Sequence, residues 1–168
     1  AEVLEKESPD EWLADVSGIL VPGGFGLRGT ANKIAAVKYA REHNIPFLGI
    51  CFGMQMAVIE TMRNVLGIKN ANTTELAEDC EAVVGLMTEW DKDGAKQIRH
   101  KDGDLGGTMR LGAYESVLAP NSKAAEVYGT THIFERHRHR YEVNIKYKSQ
   151  LAQGGMLISG TSPDGKLP

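Results

Sequence analysis

The chain has 168 residues, 42% apolar and 24% charged, with a formal net charge of −3 and a pI near 6.0. That size and balance fit one globular domain or a large part of one, and the weakly acidic charge argues against broad electrostatic binding of nucleic acid. No run approaches the roughly 20 apolar residues of a membrane span, the N-terminus lacks the apolar core of a signal peptide, and Cys51 and Cys80 alone make no disulfide framework, so a cytoplasmic protein is expected.

Taken in chain order, residues 1–17 are acidic, with Trp12, Leu13 and Val16 spaced for a short helix against the body. Gly18 to Pro22 is an apolar run between turn residues, which predicts a buried strand. Gly23 to Gly29, with four glycines, is a loop. Thr30 or Asn32 can cap a helix running to about His43, with Ile34, Val37 and Ala40 on one stripe. Pro46 to Ile50 predicts a second buried strand, and residues 53–64 a mostly buried helix. The order strand, loop, helix, strand, sharp turn, helix implies parallel strands with helices on both faces.

The second half reads as more antiparallel. Val83–Met87, Thr108–Leu111, Glu142–Asn144 and Met156–Ser159 are strand candidates. Asp91 to Asp104 is expected to be an exposed, mobile loop. From Arg136 to Arg140 arginine and histidine alternate, which on a strand puts His137 and His139 on one face and the arginines on the other. Ser162-Pro-Asp-Gly165 has proline at the second and glycine at the fourth position of a type I turn, so a hairpin should turn there.

The segment that carries chemistry is Phe47-Leu-Gly-Ile-Cys-Phe-Gly-Met-Gln55. Cys51 stands between a strand end and a helix start, with Gly49 and Gly53 two residues away on either side. Such a turn pushes the side chain into the open, and the glycines remove clashes that would block it. The following helix aims its N-terminal N–H groups at the sulfur, favouring thiolate. The N–H of Phe52 would face a carbonyl attacked by Cys51. Most free cysteines are small core residues, and the Gly-x-Cys-x-Gly spacing at a strand-to-helix junction argues against that reading here. Cys80 lies among Glu78, Asp79 and Glu81, whose charges raise a thiol pKa, and is read as inert. Met54, Met56 and Met62 suit the core. Gly23, Gly24 and Gly26 make a tight turn; a phosphate loop would need a lysine followed by serine or threonine, and neither follows.

Gly-x-Cys-x-Gly fits several α/β families, among them cysteine hydrolases and the DJ-1/PfpI-like proteins. Gln55 narrows it. Gly49-Ile-Cys-Phe-Gly-Met-Gln55 resembles the signature of the class I, triad-type glutamine amidotransferases, and Pro22-Gly-Gly-Phe-Gly26 resembles that family's oxyanion strand. Val21–Gly29, Asn70–Glu75, Gly106–Gly112 and Glu135–Asn144 resemble the CTP synthase branch. The resemblance runs from about residue 17 to about 167 and implies a flavodoxin-like, three-layer α/β fold with a mostly parallel central sheet and antiparallel additions.

The resemblance also implies roles. Cys51 would take the glutamine side-chain carbonyl as a thioester, with Gly24 and Phe52 as backbone oxyanion donors. Gly53, Met54, Gln55 and Glu75 would line the substrate, a carboxylate suiting its α-ammonium. Arg140 would face its α-carboxylate, with Arg138 as the alternative; an arginine fork matches that group. Phe25, Leu27, Arg28 and Gly29 would form a GTP-responsive lid. Alone, Glu75 reads as a surface carboxylate and Gln55 as a solvent-facing helix residue. The histidine pair reads as a solvated strand or two metal ligands, but neighbouring carboxylate or thiol ligands are lacking, and no metal is expected.

By the same resemblance the domain itself uses no cofactor. The whole enzyme would use ATP, Mg2+ and the activator GTP to aminate UTP, through a synthetase domain of the same polypeptide, typically as a homotetramer. The family's His-Pro-Glu motif does not occur; the histidines are His43, His100, His132, His137 and His139. The expectation is therefore one amidotransferase domain over 1–168, incomplete at its C-terminal edge and also at its N-terminal edge, without the synthetase domain. The alternatives are a natural pseudo-enzyme, another α/β cysteine hydrolase, and a module that binds glutamine without turnover.

Overall fold

Two three-residue strands set the frame of the first half. β1, Ile19–Val21, ends at Pro22, and β2, Phe47–Gly49, follows Pro46. They pair in parallel, Ile19 opposite Phe47, Leu20 opposite Leu48 and Val21 opposite Gly49. A parallel pair needs a crossover, supplied by α2, Thr30–Glu42. In this computed structural model residues 8–86, 89–92, 95–98 and 109–168 are described, 89–92 and 95–98 by backbone only. The chain divides into two compact units, Ala1–Val83 and Val84–Pro168.

In the first unit a short helix, α1, spans Pro9–Leu13, capped by Ser8, whose hydroxyl accepts the N–H of Asp10. The expected helix is present, but Trp12 stays exposed. The predicted side-chain cap of α2 is not made. Gly29 takes the cap position in the left-handed region, φ 66°, and Thr30 is the first helical residue, its hydroxyl donating to the Gly26 carbonyl at 3.2 Å. Ile34, Val37 and Ala40 form the buried stripe as expected.

α3, Phe52–Glu60, is apolar nearly all round, and every residue except Met54 is buried. It runs on as a π-helical turn, Thr61–Val65, where Leu66 N–H reaches back to the Thr61 carbonyl. α2 and α3 are joined by an ion pair: Glu60, fully buried, accepts from Arg41 at 2.8–3.2 Å. β1 and β2 were expected to be buried throughout. Val21 is buried, whereas Leu20, Leu48 and Ile50 are exposed. Alternation along a strand explains this: the Val21 side faces the helices and the Leu20 side faces outward. After the π turn come β3, Ala71–Thr73, and the start of β4, Glu81–Leu86.

In the second unit the ladders are antiparallel, as expected. β4 pairs through Val84–Leu86 with β9, Tyr141–Val143. β5, Glu89–Lys92, and β6, Ala95–Ile98, pair antiparallel over part of the segment where a loop was expected. The rest of that expected loop, and Thr108 at the start of the next expected strand, lie outside the described residues. β7, Arg110–Leu118, pairs along its length with β8, His132–His139. Between them α4, Lys123–Tyr128, is capped by Ser122 and stopped by Gly129 at φ 68°. A 3-10 turn, Ile145–Tyr147, leads into α5, Lys148–Gln153. The strand expected at 156–159 forms one step later, as β10, Gly160–Thr161, against the end of β7. The expected turn closes with Gly165 N–H on the Ser162 carbonyl at 2.8 Å, and Ser162 N–H meets the Leu167 carbonyl at 2.8 Å.

Candidate active site

Cys51 has φ 53° and ψ −106°, a backbone conformation L-residues avoid. The surroundings enforce it. Ile50 N–H is held by the Val21 carbonyl at 2.9 Å, and Gly53 N–H by the Ile50 carbonyl at 3.0 Å. A Cβ on Gly49 would come within 2.6 Å of the Gly53 carbonyl carbon and the Met54 nitrogen, and one on Gly53 would run into the Val21 carbonyl. Strand end and helix start therefore touch backbone to backbone, and Cys51 is turned out at the head of α3. Its carbonyl takes the N–H of Gln55 at 3.1 Å as the first bond of the helix. The positive end of α3 lies at this corner.

The glycine loop comes to this corner. The Cβ position of Gly23 lies 3.6 Å from Cys51 Cβ, and that of Gly24 lies 4.0 Å from the Phe52 ring. Gly24 and Phe52, the two expected oxyanion donors, are thus neighbours. Lys33, which the sequence analysis did not single out, reaches the same place. Its ammonium is 4.8 Å from the centre of the Phe52 ring, 3.7 Å from the Gly24 Cβ position and 3.4 Å from the Arg28 carbonyl. It lies in the second turn of α2, where side chains lean back towards the helix start.

Glu75 is brought to the glycine loop from 49 residues away: its Oε1 accepts the N–H of Gly26 at 2.9 Å. The turn that aims it is set by buried Thr73, whose hydroxyl accepts the N–H of Glu75 at 3.2 Å. Gln55 is buried rather than solvent-facing, and Met54 is exposed rather than in the core, whereas Met56 and Met62 are fully buried. Phe25 and Leu27 are exposed on the loop. The first unit alone therefore brings together Gly23, Gly24, Gly26, Lys33, Cys51, Phe52, Gly53, Gln55 and Glu75. Cys80 donates to the Ala77 carbonyl at 3.3 Å, and its thiol pKa is raised, first by burial and then by Asp79.

Arg138 and Arg140 belong to the second unit. Arg138 is exposed on β8, and Arg140 is half-buried in the bend between β8 and β9. His137 and His139 share a face, as alternation predicts, and their rings are hydrogen-bonded, Nδ1 of His137 to Nε2 of His139 at 2.7 Å. Burial pushes the His137 pKa down from 6.5 to about 4, helped by the charge of Arg110 and opposed by Glu135. Sequence reading missed that Arg110 and Glu142 support this pair, since nothing in strand alternation shows which distant residues back a face. Among the described residues no group of three or more histidine, cysteine or acidic residues could hold a metal ion, and no helix is long and apolar enough to cross a membrane.

Comparison with known proteins adds three findings. The chain is 59% identical over 168 residues to the CTP synthase of Agrobacterium fabrum and 60% identical to that of Brucella ovis, in each case over 100% of this chain and 31% of the relative. It thus spans about a third of the length of these curated relatives. The fold is similar to a solved structure described as the Trypanosoma brucei CTPS glutaminase domain with bound acivicin. The TM-score is 0.80 and the identity 40%, over 95% of this chain and 59% of that one. The model of the class-I glutamine amidotransferases matches residues 1–168. With a cysteine forced into a positive-φ elbow, a double-glycine loop against it and a likeness that covers every residue, the chain belongs to the class-I glutamine amidotransferase family.

Proposed function

We propose that this chain is the glutamine-hydrolysing part of a CTP synthase, with Cys51 as its nucleophile. The observation that carries the reading is the elbow: Cys51 at φ 53° on the head of α3, with Gly23 and Gly24 packed against it. The Cys51 thiolate attacks the side-chain carbonyl of glutamine, and the new C–S bond puts charge on the carbonyl oxygen. The N–H groups of Gly24 and Phe52 receive that oxyanion. As it collapses, the C–N bond breaks and nitrogen leaves as ammonia, taking up a proton. Water then cleaves the thioester to glutamate and returns the thiolate. The proton carried to the leaving nitrogen is assigned to no histidine of this chain.

Glu75, beside the glycine loop, suits the α-ammonium of glutamine. Arg140 suits the α-carboxylate, with Arg138 the alternative on the same motif. Gly53, Met54 and Gln55 complete the substrate side. Phe25, 61% exposed, and Leu27, 72% exposed, put apolar groups in water on the loop with Arg28 and Gly29. Such a patch favours a lid that closes on a ligand, and we assign it to GTP.

The whole protein would pass the ammonia to a UTP activated by ATP with Mg2+, in a synthetase domain of the same polypeptide, as a homotetramer in the cytoplasm. The similarity to the CTP synthases supports this reading. The residues 1–168 would then be one amidotransferase domain.

The test is intact-mass spectrometry of the intact protein after exposure to acivicin or 6-diazo-5-oxo-norleucine. One adduct is expected, lost in Cys51→Ala and blocked by excess glutamine. A folded protein that takes no adduct, or an adduct that glutamine does not block, overturns the reading.

A further inference from the structure

β8 ends at His139 and β9 begins at Tyr141, so Arg140 is the single residue of the bend between them. The bend is bridged from one side to the other. His139 Nδ1 lies 3.2 Å from the Tyr141 carbonyl oxygen, a hydrogen bond that spans Arg140. The same nitrogen lies 3.3 Å from Glu142 Oε2. A carbonyl and an ionised carboxylate can only accept, so Nδ1 carries the proton. In a neutral ring Nε2 then offers a lone pair, which takes the N–H of His137 Nδ1 at 2.7 Å. The protons are thereby ordered along the row from Glu142 through His139 to His137.

The row is anchored from behind. Arg110 and Glu142 are each 3% exposed, and Arg110 Nη1 lies 3.4 Å from both oxygens of the carboxylate. The guanidinium lies over the ring of Tyr114 at 4.6 Å, and that ring meets His137 edge-on at 5.6 Å. The ladder register makes this possible: Arg110 stands opposite His139, and Gly112, without a side chain, opposite His137. A charged pair held this far from water fixes the angle of whatever it touches, because swinging away would strand a buried charge.

We infer that His139 is a positioning residue for Arg140: its imidazole straps the bend that carries the arginine and is itself held by Glu142 and Arg110. The inference rests on the proposed role of Arg140 as partner of the glutamine α-carboxylate. Two-point pairing of a guanidinium with a carboxylate demands a set angle, so a bend free to flex would cost substrate binding first.

The experiment compares wild type, His139→Leu, His139→Asn and Arg140→Met in the intact protein. Asparagine can place an N–H where Nδ1 stood; leucine cannot. Glutamine KM and kcat are measured, together with labelling of Cys51 by acivicin, which needs the amino-acid head group recognised, and by iodoacetamide, which does not. His139→Leu is expected to raise KM and slow acivicin labelling by about tenfold to a hundredfold, the cost of a misplacement near 1 Å. Its kcat and iodoacetamide labelling should stay within about threefold. His139→Asn should recover most of the loss, and amide exchange across 138–142 should be faster in the leucine variant than in the asparagine one. An unchanged KM in His139→Leu, an equal loss with both reagents, or an asparagine variant no better than leucine overturns the inference, as does Arg140→Met with an unchanged KM. Failure of the underlying functional reading looks different. Wild-type Cys51 then takes no glutamine-protected label, and the amide-exchange comparison alone decides whether the imidazole straps the bend.

Discussion

The carboxylate of Glu75 holds the N–H of Gly26 at 2.9 Å, tying the glycine loop to a turn 49 residues further along the chain. One oxygen is thereby engaged in structure, and on the proposed reading the second receives the substrate ammonium. Glu75→Gln keeps an acceptor for Gly26 but removes the charge. It should raise the KM for glutamine by about tenfold to a hundredfold, the worth of a charge-assisted hydrogen bond, and leave thermal stability nearly unchanged. Glu75→Ala removes both functions and should also cost about 1 kcal/mol of stability. Steady-state kinetics and thermal unfolding of the pair check this; equal melting of the two variants would sink the structural half.

The elbow stores strain. A non-glycine residue in so sparse a region costs about 1–3 kcal/mol, and Cys51 bears it at φ 53°. Cys51→Ala keeps the strain; Cys51→Gly releases it, less about 0.5–1 kcal/mol for the freer unfolded chain. Both lose the thiol, but the glycine variant should be more stable than the alanine variant by about 1 kcal/mol. Chemical denaturation of the two checks this, and an alanine variant as stable as the glycine one would show that the corner is relaxed.

Arg41 and Glu60 join α2 to the helix headed by Cys51. Hydrogen bonding to Glu60 raises the Arg41 pKa, and Glu60 is fully buried. Arg41→Ala leaves that carboxylate with the Asn64 amide but no counter-charge and should cost about 3 kcal/mol, the low end for breaking a buried pair, because the arginine itself is partly in water. Arg41→Ala with Glu60→Leu should recover much of the loss, since an apolar pair needs no counter-charge. Denaturant midpoints report both; a single variant within about 0.5 kcal/mol of wild type would refute the assignment.

His137 makes stability depend on pH. Burial, then Arg110, hold its pKa near 4 instead of 6.5, with Glu135 pulling the other way. Tyr114 and His139 also face it. The unfolded chain therefore binds the proton more readily, and unfolding takes one up between these values. The contribution is complete above 6.5 and is lost as pH falls through that window towards 4. His137→Asn keeps an N–H for His139 and cannot titrate, so proton uptake on unfolding between pH 6.5 and 4 should fall by up to about one proton. Identical slopes for wild type and variant would exclude this group as the source.

The legible part of the fold was that written in punctuation and period. Gly18, Pro22, Pro46 and the paired Gly49 and Gly53 bracket β1, β2 and the elbow, and the stripe through Ile34, Val37 and Ala40 marks α2. Six-residue helices such as α4 and α5 leave too short a pattern to read, and a cap supplied by the backbone of Gly29 has no side chain to announce it. In the site, Cys51 and Phe52 could be named from spacing, because local backbone geometry sets the elbow, whereas Gly24 was named through the resemblance and is brought to them by the pairing of β1 with β2. Lys33 over Phe52, and Arg110 behind Glu142, depend on which surfaces meet in three dimensions, and a lysine on a helix reads as solvated until its neighbour is known.

The π-helical turn at Thr61–Val65 holds one residue more than a regular turn would. A codon lost from that stretch can be absorbed by closing the turn to an ordinary helical one, leaving the head of α3 where it was. The same loss between Phe52 and Glu60 would swing all that follows by about 100° and draw it back by about 1.5 Å, carrying Glu75 away from Gly26. Length variation in this helix should therefore be tolerated at its tail and refused at its head.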